Sequence, residues 1–134
     1  MSDNLEVIQN PIIDIYDRLT KVVKPICGEN TSMSVTEQVS TFPFYFVKLL
    51  GNPTLRTDLE GNETYSSPSV QCESFANGIG ALNKAFSIDA LSHREMINMG
   101  FRRTYGPVEE ENPQKSIKRV ISRYERLLGN EQTF

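Results

Sequence analysis

The stretch SIKRVISRYERLL, Ser116–Leu128, decides how the rest of the chain is read. Ile117, Val120, Ile121, Tyr124, Leu127 and Leu128 recur at three- and four-residue steps, the spacing of one helix face. Isoleucine, valine and tyrosine also suit a strand. Periodicity alone favours the helix, composition permits the strand, and the two lead to different architectures.

Upstream of it, EEENPQK (Glu109–Lys115) has the composition of a hairpin turn. Before that, NMGFRRTYGP (Asn98–Pro107) reads as a helix stop followed at once by a strand. Gly100 suits the positive-φ position that ends a helix, and Phe101 can then enter the core. The helix ending there carries an imperfect apolar stripe of Ile79, Leu82, Phe86, Leu91, Ile97 and Met99. Ser92-x-x-Glu95 resembles a capping box and predicts a break or kink near residue 92.

Further upstream, SVQCESFA (Ser69–Ala76) alternates as a strand with one apolar side at most. Turn formers fill Gly51 to Ser69, which predicts a long hairpin connection or flexible loop. FPFYFVKLL (Phe42–Leu50) reads as a strand with Pro43 at its start. The polar segment 28–41 reads as a surface loop. Asn10-Pro11 opens a first helix, whose apolar face is Ile12, Ile15, Tyr16, Leu19, Val22, Val23 and Ile26. Pro25 and Gly28 are expected to end it.

A chain of 134 residues fits one domain, and its 38% apolar and 23% charged residues describe an ordinary soluble globular protein. A net charge of −3 argues against sequence-independent DNA binding. The longest apolar run, Phe42–Leu50, is far short of a membrane span, and the N-terminus lacks the pattern of a signal peptide. Two cysteines, Cys27 and Cys72, are too few for a disulfide scaffold and read as reduced residues of an intracellularly assembled protein.

The chemical inventory is thin. His93 is the sole histidine and sits at a helical position where a solvated surface role is expected. Cys27, Cys72 and His93 lack metal-ligand spacing. Glu109, Glu110 and Glu111 lack the alternating spacing and turn glycine of a calcium loop and read as a solvated hairpin tip. Gly78 and Gly80 precede a helix but lack the third glycine and the lysine–serine pair of a phosphate cradle. Arg119, Arg123 and Arg126, with Lys118, form either a soluble outer face or a surface that pairs with acids of a neighbouring subunit. No catalytic residue, cofactor site or metal site is expected, and neither is an enzymatic activity.

Taken in order, FPFYFVKL, SVQCESFA, a helix ending INMGFRRTY, an acidic turn and IKRVISRYERLLG resemble the tail terminator, or tail completion, proteins of long-tailed bacteriophages. The resemblance rests on Phe42-Pro43, Val70–Phe75, Gly100–Thr104 and Arg123-Tyr124, and covers nearly the whole chain after residue 10. The long connection between the first two strands and the GIGALNKAFSIDALSH segment depart from the family pattern. That family places a strand at the Arg-Tyr segment, so the resemblance implies a strand at residues 116–128 against their periodicity, with the helix left as the alternative.

The resemblance therefore implies a single α+β domain over residues 1–134. Its expected form is a mainly antiparallel four-stranded sheet with two helices on one face, long mobile loops, and flexible tails at 1–9 and 129–134. It implies a structural protein of the virion, made in the host cytoplasm, that sits as a hexameric ring on the head-proximal end of the tail tube. There it would stop tube polymerisation and offer the surface for head joining. The implied partners are the tail tube protein, a head-completion or connector protein and further copies of itself, with a monomer or weak oligomer in solution; no membrane or sequence-specific nucleic acid is implied. Candidate subunit-interface residues are Arg102, Arg103, Arg119, Arg123, Arg126, Glu109, Glu110 and Glu111. The alternatives are a head-closure adaptor on the portal side, a small phage DNA-processing enzyme, or a regulatory binding module with a basic C-terminal helix.

Overall fold

The computed structural model describes residues 12–33, 41–51, 54–57, 63–66, 68–126 and 128–129. Helix α1 covers Ile12–Cys27, and Ile15, Leu19, Val23 and Cys27, four residues apart, are all buried. The helix runs through Pro25, which corrects the expected stop there. A proline so near the end forfeits one hydrogen bond, while the buried stripe holds the helix in place. Gly28 ends it at φ +61, its N–H donating to the Lys24 carbonyl at 2.8 Å. The helix opening expected at Asn10-Pro11 and the tail expected at 1–9 lie outside the described residues.

The segment after α1 doubles back, so the loop expected there is corrected to contain strand β1, Thr31–Ser32. Asn30 is the cause. Its side-chain amide donates to the carbonyls of Thr41 and Pro43, both at 2.7 Å, and its own carbonyl accepts from the Tyr45 N–H. These bonds lay β1 parallel to β2, Phe44–Gly51. Strands β3, Thr54–Thr57, and β4, Glu63–Ser66, form a hairpin inside the connection expected from Gly51 to Ser69.

Strand β5 covers Ser69–Asn77, helix α2 Ala81–Asn98, β6 Arg102–Glu110, β7 Ile117–Glu125 and β8 Leu128–Gly129. The main sheet has the order β1-β2-β5-β7-β6, antiparallel throughout except for β1 against β2. The four expected strands are β2, β5, β7 and β6; the parallel β1 makes the sheet five-stranded and mixed. Strands β3, β4 and β8 form a separate three-stranded sheet, so residues 128–129 are paired rather than part of a free tail. The hairpin turn begins later than expected, because Glu109 and Glu110 belong to β6.

Helix α2 is continuous, which corrects the expected break at residue 92. Ser92 is fully buried and its hydroxyl hydrogen-bonds the Tyr45 phenol, so it serves a tertiary contact rather than a cap. The C-terminus of α2 closes with the two bonds of a Schellman turn: Phe101 N–H to Met96 O at 3.0 Å and Gly100 N–H to Ile97 O at 2.9 Å. Gly100 takes φ +87, and Phe101 and Met96 are buried in the same cluster. Arg126 donates to the Met99 carbonyl at 2.7 Å and satisfies another group of that helix end.

Both helices pack on one face of the sheet. Ile15, Leu19 and Val23 of α1 share a cluster with Ile88 and Met96 of α2 and with Tyr45, Val47, Val70, Cys72 and Tyr124. Ala81 and Ala85 of α2 extend it against Ala76 and Val120. On the opposite face Phe44, Phe75 and Ile117 form a smaller buried cluster with Phe42 and Phe46 beside it. Strand β5 is therefore buried on both faces from Val70 to Ala76, which corrects the expectation of one apolar side. As a central strand it has neighbours on both edges, and long side chains of β7 lie over its outer face.

Candidate functional site

Two polar networks occupy the two faces of the main sheet. The inner one lies beneath α2. Alternation along β7 turns Ser122 and Tyr124 toward the helices, and β6 places Arg103 opposite Tyr124. Asp89 of α2 is 2% exposed and accepts from the Ser122 hydroxyl at 2.6 Å. Its second oxygen accepts from Arg103 at 3.1 Å. The same Arg103 nitrogen donates to the Tyr124 oxygen at 3.2 Å, and Tyr124 meets Nδ1 of His93 at 3.1 Å. The guanidinium also lies 5.6 Å from the centre of the Tyr124 ring.

The low-dielectric setting shows in the titrating groups. Burial pushes the Asp89 carboxyl above its ordinary value, with Ser122 and Arg103 pulling it back. Burial raises the Tyr124 phenol against the opposing bond from Arg103. Burial pushes the Cys72 thiol up to about 11 and the Cys27 thiol likewise to about 11, so both remain protonated and poorly nucleophilic at neutral pH.

The outer network is a ladder across β5 and β7, whose register sets Gln71 opposite Arg123 and Phe75 opposite Arg119. Arg119 Nε donates to Glu73 at 2.9 Å, and Gln71 donates to the other Glu73 oxygen at 2.6 Å. Arg123 Nε donates to the Gln71 carbonyl oxygen at 2.8 Å. Arg123 stacks 4.7 Å from the Tyr105 ring centre, and Tyr105 donates to Glu110 at 2.7 Å. The chain of contacts spans β5, β7 and β6 and leaves Glu73 only 6% exposed.

The residues expected at a subunit interface separate into three settings. Arg103 and Arg126 turn inward, one to Asp89 and the other to the end of α2. Arg119, Arg123 and Glu110 belong to the outer ladder. Arg102, Glu109 and Glu111 lie at the hairpin surface; Arg102 meets Glu125 at 3.5 Å, Glu109 meets Lys118 at 3.6 Å, and Glu111 is exposed just past β6.

Sequence reasoning missed Asp89 and Ser122, named Tyr124, Gln71 and Glu73 only as parts of structural motifs, and expected His93 on the surface. His93 is instead half-buried and bonded to Tyr124. A signal existed for Asp89, because an acid on the stripe Ala81, Ala85, Ile88, Ser92, Met96 demands a partner.

Among the described residues no group of three or more His, Cys, Asp or Glu is placed to hold a metal ion. Among them, too, no helix is long and apolar enough to cross a membrane. No family model matches the chain, and no curated protein matches it.

Proposed function

We propose that this chain caps the head-proximal end of a bacteriophage tail tube, stops its polymerisation and supplies the surface for head joining. A tube is a stack of rings whose contact repeats without limit unless a ring with a different second face is added. Such a cap works by shape and charge complementarity, and needs no reactive group.

The observation that supports the reading is where its four motifs fall. Phe42-Pro43 leads into β2, Val70–Phe75 forms the centre of the sheet, and Gly100-Phe101 closes α2 into β6. Arg123-Tyr124 lies in β7, where Arg123 faces outward and Tyr124 inward. Arg102, Glu109, Glu111, Lys115 and Arg123 are exposed charges of that hairpin that a neighbouring copy or ring would meet.

The test is electron microscopy of phage particles assembled without the protein. Unjoined heads with overlong or unstable tails are the expected result, and normal joined virions would overturn the reading. Capture by purified tail tubes, and not by portal-bearing heads alone, places the protein on the tail side.

A further inference from the structure

The bonds around Tyr124 have a direction set by the atoms. Arginine can only donate, so the Tyr124 oxygen accepts from Arg103. The phenol has one proton, and its other described hydrogen-bond partner is Nδ1 of His93. The phenol oxygen could accept a second bond as well, so the direction depends on the ring's tautomer: where Tyr124 donates to Nδ1, the neutral ring carries its proton on Nε2. Through this one oxygen α2 is tied to β6 and β7 at the same point. Asp89, one helical turn earlier, ties the same three elements a second time through Arg103 and Ser122.

We propose that His93 is a proton-sensitive latch: a proton taken up at Nδ1 removes the acceptor of the Tyr124 hydroxyl and loosens α2 from the β6–β7 hairpin. An imidazolium there would face the Arg103 guanidinium across one oxygen that then receives two cationic donors. The groups facing the imidazole are Asp89 from α2 itself, Arg103 from β6 and Tyr124 from β7. Cys72 of β5 and Tyr45 of β2 lie behind Tyr124. On α1 the packed charge is Arg18, held by Glu95. The latch stands independently of the tail reading.

Burial and then Arg103 hold His93 below its ordinary value, and Asp89 opposes them. The unfolded chain binds a proton near the ordinary value of about 6.5, whereas the folded chain resists it. The stability due to His93 is thus intact above about pH 6.5 and declines as pH falls from there through the depressed folded value. Asp89 has the opposite sign, because its raised carboxyl favours the folded state as pH falls through that raised value.

His93 is the sole histidine, so nitrogen-edited NMR of the whole protein reads one imidazole without ambiguity. The Nε2–H tautomer and a midpoint below about 6.5 are expected. In parallel, urea unfolding of the wild type and His93→Asn is compared at about pH 7.5 and about pH 5.5. Asparagine keeps an acceptor near the Nδ1 position but does not titrate. Relative to the variant, the wild-type folding constant falls between the two pH values, by up to about tenfold for each unit of depression. An Nδ1–H tautomer, an undepressed midpoint, or parallel pH dependence in the two proteins would overturn the latch. If the variant fails to fold, the tautomer and midpoint decide alone.

Discussion

The two faces of the main sheet solve one problem in different ways. Each carries a carboxylate almost out of contact with water: Asp89 at 2% exposed under α2, and Glu73 at 6% on the outer face. Asp89 is covered by a helix and bonded to a serine and an arginine that also serves Tyr124. Glu73 is covered by the side chains that bond it, and its arginine keeps about a third of its surface in water, 30%. Losing Asp89 strands the fully buried Ser122 hydroxyl, while Arg103, 22% exposed, keeps only a partial route to water. Losing a partner on the outer face lets the rest turn outward and hydrate. Similar polar residues thus act as fixed joints on one side and as a removable cover on the other.

This contrast can be broken by substitution. Asp89→Ala is expected to have the largest effect, about 3 kcal/mol or more in urea unfolding, because it strands Ser122 and leaves Arg103 only a partial route to water. A loss below about 1 kcal/mol would erase the distinction between the faces. Tyr124→Phe should cost about 1–2 kcal/mol by removing the oxygen shared by Arg103 and His93, read by the same titration. Glu73→Gln should cost about 1 kcal/mol or less, and the difference from wild type should shrink in about 1 M salt, which screens a pair whose arginine is partly exposed. Tyr105→Phe, at the exposed end of the ladder, should leave the melting temperature unchanged. A drop of several degrees would mean that the outer ladder is as rigid as the inner network.

The sequence carried α1 and the turn at Gly100-Phe101 plainly, since both depend on local rules: a four-residue stripe and a glycine that accepts positive φ. Strand β7 was ambiguous for a physical reason. Val120 and Tyr124 face the helices, while Ile117 and Ile121 are buried on the other side. A strand buried on both faces loses its two-residue alternation, and the remaining spacing imitates a helix. Strand β5 hid its burial for the same reason, with Gln71 and Glu73 posing as solvent-facing residues. The inner network joins residues 14 to 33 positions apart, so no local pattern assembles it. Ser92 matched a capping motif by spacing, yet its partner Tyr45 is 47 positions away.

The irregularity of β6 has a consequence for how copies of this protein can meet. Its register against β7 shifts twice, between Arg103 and Tyr105 and again between Tyr105 and Val108, and Pro107 offers no N–H. Among the described residues β6 is the outermost strand on its side. A second strand laid along it would find an interrupted template, so open-ended zippering of sheet onto sheet is discouraged there. A second copy meeting the protein at that margin would have to do so mainly through side chains rather than through a continuous backbone ladder.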